Sequence, residues 1–187
     1  MEVADYSKLA LDNFGFQHPG AFYGETNAAA VGAGLIYTKV LFPLFDFESR
    51  AFDTVEGAVY VLTHECDVDP ANERHFNDHV VVCPLIPLED FVSEYEAKFG
   101  EERLKSFLVY AAKNEVVRVF YLPPGPTSSV LSHGALLYLN ELCSTHVSVF
   151  QPAHALCALS SHGLERLDWK LQNLLFRPKV DPLPRLR

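Results

Sequence analysis

The residues best suited to chemistry crowd between Val59 and Pro87. Val-Tyr-Val-Leu-Thr-His-Glu-Cys-Asp is followed there by a polar turn holding His75 and His79, then by Val-Val-Val-Cys-Pro-Leu-Ile-Pro. Both apolar runs read as strands. Alternation then puts His64 and Cys66 on one face of the first, and His79, Val81 and Cys83 on one face of the second. Tight pairing of the two would bring Cys66 close to His79. Thiols and imidazoles are the ligands of tetrahedral zinc, so His64, Cys66, His79 and Cys83 are candidate metal ligands. Their spacing, His-x-Cys and His-x3-Cys, departs from the compact CxxC pairs usual in structural zinc sites.

Cys66 with His79 is also a candidate catalytic pair. A neighbouring imidazole lowers a thiol's pKa and makes it a nucleophile, and Asp67 or Asp78 would orient the ring. The same residues have a purely structural reading, in which Cys66 is a buried strand residue. Asp67 then accepts backbone N–H groups across the loop that opens at Val68-Asp-Pro. Asp67, Asp69, Glu73 and Asp78 enrich this loop in carboxylates but lack the alternation and turn glycine of a calcium loop. His133, His146, His154 and His162 are scattered without a partner spacing, and the chain holds no Walker loop, GxGxxG, GxSxG or HExxH.

The elements that position these residues follow from period and punctuation. Residues 1–33 read as an N-terminal arm with a short helix from Tyr6 to Asn13. Strands are expected at Leu35–Pro43, Gly57–Cys66 and His79–Ile86, with 67–78 as the loop of an antiparallel hairpin. Pro87 opens a helical insertion over about 88–113. Leu88, Phe91, Val92, Tyr95 and Phe99 form its first stripe, and Gly100 interrupts it. Strands return at Val116–Leu122, Gly134–Leu139 and Thr145–Phe150. The last helix spans 161–176, capped by Ser160 or Ser161, with Leu164, Leu167, Leu171, Leu174 and Leu175 on its inner stripe and Trp169 outside it. Residues 178–187 read as a tail. The architecture expected is a partly open β-barrel of about five to seven mostly antiparallel strands carrying α insertions.

Composition bounds the function classes. The chain has 187 residues, of which 49% are hydrophobic, and a formal net charge of −9. That length suits one well-buried domain, and that charge repels phosphate backbones. Only Arg177, Lys179, Arg185 and Arg187 make a locally basic stretch. The 4 cysteines show neither CxxC pairs nor disulfide-scaffold density, which fits a reducing cytoplasm. No export signal is legible, and no apolar run approaches the ~20 residues that span a bilayer.

The order of the motifs resembles the SH3-like barrels of the PemK/MazF toxin superfamily, and more closely a group of bacterial and phage proteins related to it. Members of that group end a strand in Val-Leu-Ser/Thr-x-x-Cys-Asp, here Val61 to Asp67, and another in Val-x-x-Pro-Leu/Val, here Val81 to Leu85. A helical insertion leads to Phe-Tyr-Leu-Pro-Pro, here Phe120 to Pro124. The chain closes on Leu-Ser-x-x-Gly-x-x-x-Leu, here Leu159 to Leu167. The match covers 34–177, which the resemblance makes an SH3-like barrel domain.

The resemblance implies a relative of toxin–antitoxin proteins without toxin chemistry. Ribonucleases of that superfamily place an Arg at the start of the second strand and a Ser or Thr after the third, beside the scissile phosphate. Here those places hold Glu56-Gly57 and Pro87-Leu88. The expected function is a non-catalytic binding module with a protein partner or a second copy, and with no cofactor. The alternatives are a Cys-centred hydrolase or zinc-binding protein using Cys66, His79, His64 and Cys83, and a degenerate nucleic-acid binder.

Overall fold

The β-branched and aromatic run that opens at Leu35 forms a long strand, β2 (Leu35–Asp46), which turns through Phe47–Arg50 into β3 (Ala51–Val61). Pro43 does not end β2. Strand β8 (Ala155–Leu159) covers β2 only from Leu35 to Tyr37, and proline is tolerated where a strand edge lies open. Asp46 makes the turn, its carboxylate accepting the Glu48 N–H at 2.9 Å and the Ser49 N–H at 3.2 Å. This computed structural model describes residues 1–15, 19–24, 31–73, 75, 78–125 and 129–175. The basic stretch Arg177–Arg187 and the expected tail at 178–187 lie outside them.

The remaining elements are α1 (Val3–Asn13), β1 (Tyr23–Gly24), α2 (Glu65–Val68), β4 (His79–Pro87), α3 (Leu88–Phe99), α4 (Glu101–Ala112), β5 (Val119–Leu122), β6 (Ala135–Tyr138), β7 (Cys143–His146) and α5 (Ser161–Leu175). All pairings are antiparallel in the order β1-β8-β2-β3-β4-β6-β5, and the sheet is not closed into a barrel. β7 pairs the first half of β4, His79–Val82, while β6 pairs its end, Leu85–Pro87. Among the described residues the sheet has 8 strands against the expected five to seven: the strand expected at Thr145–Phe150 is β7, which ends at His146 before a 3₁₀ turn over Val147–Val149, and the short β1 and β8 are additional.

Two cores flank the sheet. On one face Ile36, Tyr60 and Cys83 meet the helices through Leu88, Leu104 and Leu108. On the other, Tyr37, Phe42, Val59, Val61, Val82 and Phe150 fill a smaller core. Residues 1–33, expected as an arm, contribute to the first core, since Tyr6, Ala10 and Phe14 are buried in it and α1 packs on α3 and α4. α3 and α4 lie where the helical insertion was expected, separated by Gly100 at φ 83°, a conformation that favours glycine.

α5 follows the expected stripe through Leu164, Leu167, Leu171 and Leu174, but Leu175, at its last turn, is exposed. Ser160 supports its first turn, with Oγ accepting the Gly163 N–H at 3.3 Å and donating to the Ala21 carbonyl at 2.7 Å. A Cβ at Gly163 would stand 2.7 Å from the Phe22 carbonyl oxygen, so only glycine lets the helix approach this closely. Among the described residues no helix is long and apolar enough to cross a membrane.

Candidate functional site

The Cys/His segment folds differently from a plain hairpin. β3 ends at Val61, and Cys66 lies on the short helix α2, exposed to solvent. The cause is local hydrogen bonding. His64 is the N-cap, its Nδ1 accepting the Cys66 N–H at 3.2 Å, and Asn72 Nδ2 donates to the Cys66 carbonyl at 2.7 Å. Such caps compete with strand pairing wherever short polar side chains follow a strand. Thr63, the first polar residue of the segment, ties it back to the sheet, its Oγ1 accepting the Val81 N–H at 2.7 Å.

Cys83 is fully buried in the helix-side core, its Sγ donating to the Tyr138 carbonyl at 3.3 Å, and burial pushes its thiol well above the ordinary range. An exposed Cys66 and a core Cys83 do not converge, and His79 turns to Asp78 instead, Nδ1 to Oδ1 at 2.6 Å. Among the described residues no group of three or more His, Cys, Asp or Glu side chains is placed to hold a metal ion. The hydrogen bond from His79 holds the Asp78 carboxyl below its usual range, with His146 Nε2 3.6 Å from its other oxygen. His146, without a sequence partner, is the cross-strand neighbour of His79. Its Nδ1 lies 2.7 Å from Ser148 Oγ and accepts the Ser148 N–H at 3.2 Å, which makes it the cap of a 3₁₀ turn over Val147–Val149. His75 is exposed in the loop.

A cleft of about 940 Å³ opens elsewhere, where β3 and β4 stop pairing. Ala58 is the last β3 residue paired to β4, opposite Leu85. Beyond that pair Glu56 and Gly57 line one wall, Ile86 and Pro87 the other, and α3 adds Asp90, Ser93 and Glu94. The floor is apolar, with Ala58, Leu85 and Leu156 among its residues.

Lys39 enters this cleft by a backbone device. The β2–β3 register shifts between Tyr37 and Val40, and within that bulge Lys39 takes φ 53°. A side chain in the left-handed region costs roughly 1 kcal/mol, and bulges redirect side chains beside binding sites. Thr38 and Lys39 both line the cleft as a result. Among the described residues Lys39, Glu56, Asp90 and Glu94 make no ion pair.

No family model matches this chain, and no curated protein matches it. The chemistry is therefore read from the side chains alone. One ammonium and three carboxylates over an apolar floor can bind a charged, partly apolar ligand; the Thr38 and Ser93 hydroxyls also line the cleft, with no histidine among its lining residues to activate them.

Sequence reasoning missed the cleft because its residues come from β2, β3, β4, β8 and α3, and no spacing in the chain links them. Lys39 left no local signal, since its bulge is a property of the register. Glu56-Gly57 and Pro87 had been singled out as the places of the toxin residues, and Glu56, Gly57 and Pro87 do line this cleft.

Proposed function

We propose that this protein is a non-catalytic binding module whose binding surface is the cleft between β3, β4 and α3. The observation that carries the reading is the unpaired set Glu56, Asp90, Glu94 and Lys39 around an apolar floor. All four are exposed and make no ion pair among the described residues, so their charges are open to those of a complementary ligand.

We further infer an SH3-like, partly open barrel related to the PemK/MazF toxin-like group. Support comes from the antiparallel path β8-β2-β3-β4-β7 around the smaller core, and from the helices α3 and α4 inserted after β4. On that reading Glu56 occupies the place of the toxin's arginine, and a carboxylate there repels a scissile phosphate instead of stabilising it. We place the protein in the cytoplasm, with its four free cysteines in support.

The test is catalysis itself. Purified protein is expected to leave single-stranded RNA and p-nitrophenyl acetate intact. Turnover that survives stringent purification and disappears in Glu56→Ala or Asp90→Asn would overturn the reading.

A further inference from the structure

The cleft does not end at Glu56. On β3, Val59 and Val61 face the smaller core and Tyr60 faces the helix-side core, so alternation sets Ala58, Glu56, Thr54 and Phe52 on the helix-side face. On β2, Val40 and Phe42 face the smaller core, which leaves Leu41, Pro43 and Phe45 beside them. The register pairs Leu41 with Glu56 and Phe45 with Phe52. The cleft floor therefore continues as one face along the β2–β3 ribbon to its tip.

That face is apolar and uncovered. Leu41 is 44% exposed, Phe45 38%, Phe52 72% and Phe47 82%, and the rings of Phe47 and Phe52 both pack on Phe45. The outer edge of β3 is open too. β4 pairs it only over Ala58–Val61, so among the described residues 51–57 has no strand partner on that side. A long open edge next to exposed aromatics is a hazard that proteins otherwise blunt, and it is the template on which an extended peptide adds a strand.

Charge selects the occupant. Three carboxylates and one lysine line the cleft, and the chain as a whole carries −9. A second copy would bring carboxylates against carboxylates, and RNA or an anionic lipid surface would meet the same repulsion.

Resting on the binding reading above, we propose that the occupant is an extended polypeptide segment of a partner protein whose side chains on one face, every second residue, are basic at one end and apolar at the other. It runs along the open edge of β3 with its cations among Glu56, Asp90 and Glu94 and its apolar side chains on Phe45 and Phe52. Lys39 meets an acceptor of the segment, a backbone carbonyl or a carboxylate. Alternate side chains of an added strand point to one face, which matches a surface that is acidic at one end and aromatic at the other.

The probe is a fluorescein-labelled peptide in which every second residue is Lys in one half and Phe or Val in the other, with Thr between them, compared by anisotropy with its Glu-for-Lys counterpart. The Lys peptide is expected to bind at least ~10-fold tighter, with affinity falling as salt rises. The double variant Glu56→Lys, Glu94→Lys should weaken it at least ~10-fold, and Phe52→Ser about 3-fold or more. Glu165→Lys, a charge reversal on the exposed face of α5, should change it by less than ~2-fold. Equal binding of both peptides, no binding of either, or equal loss in Glu165→Lys overturns the proposal. So does sedimentation showing a dimer that Phe52→Ser dissolves, which would make a second copy the occupant. None of these outcomes touches the absence of catalysis, whereas RNA or ester turnover would sink the binding-module reading whatever the peptides do.

Discussion

Phe45 and Phe52 stand directly opposite each other across the β2–β3 ribbon, with ring centroids 5.3 Å apart, yet neither is buried. Phe42, three residues earlier, is 5% exposed in the smaller core. One ribbon thus presents a structural face and an open one.

Stability should separate the two faces. Phe42→Ala is expected to cost about 3–5 kcal/mol, as a large buried aromatic does. Phe47→Ser, at a ring 82% exposed, should stay within about 0.5 kcal/mol of wild type. Urea denaturation of each variant checks this; a large loss in Phe47→Ser would mean that the tip is packed.

Thr63 ties α2's approach to β4 through its bond to the Val81 N–H. Thr63→Val keeps the shape and removes the acceptor, so it should lower stability by about 1 kcal/mol, whereas Thr63→Ser should recover most of it. Amide exchange at Val81 offers a direct readout, rising in the valine variant and not in the serine one.

The four thiols should label in the order of their burial. Cys66 is exposed, Cys143 half-buried, and Cys83 and Cys157 buried, with burial pushing Cys143 up to about 11 and Cys157 up to about 12. In native protein iodoacetamide is expected to modify Cys66 first and Cys83 and Cys157 only on unfolding. Because His79 is engaged by Asp78, His79→Ala should leave the Cys66 rate unchanged. A rate that falls in that variant would restore the nucleophile reading. Cys66→Ala should also be nearly neutral for stability, contrary to the expectation of a buried strand thiol.

Lys170 is 3% exposed on α5 and has two carbonyl acceptors, Asn114 at 2.7 Å and Val116 at 2.6 Å. Burial lowers its pKa to about 8, while the neutral amine keeps two N–H donors for the two carbonyls. Between about pH 8 and 10 the unfolded chain holds a proton at this site that the folded chain has released. Unfolding free energy attributable to Lys170 therefore rises with pH across that window, by roughly 3 kcal/mol when complete. The difference between wild type and Lys170→Met in urea midpoints from pH 7 to 10 should show this rise, and a flat difference would contradict it.

The parts of the fold legible in the sequence are those written in local periods. The α3–α4 pair, α5 with its Ser160 cap, and the strands opening at Leu35 and His79 all carry an apolar repeat bounded by proline, glycine or serine. The β2–β3 hairpin was legible in principle, because Asp46 to Arg50 is turn chemistry between alternating aromatics, but Pro43 read as a strand end. β1 and β8 have no period long enough to detect, and the strand expected at Thr145–Phe150 is cut short where His146 caps a 3₁₀ turn. The Cys66 assignment failed because a capping histidine turns the chain into α2 two residues after Thr63. The cleft depends on where β3 parts from β4 and on the bulge at Lys39, both of which are set by pairing partners far along the chain.

Backbone amide NMR with the half-basic, half-apolar Lys peptide tests the central claim most directly. Binding at the cleft predicts shift changes gathered at Thr38, Lys39, Glu56, Gly57, Ile86 and the first two turns of α3, extending to Phe52. Changes centred on His64–His79, or spread evenly over the surface, would contradict the account.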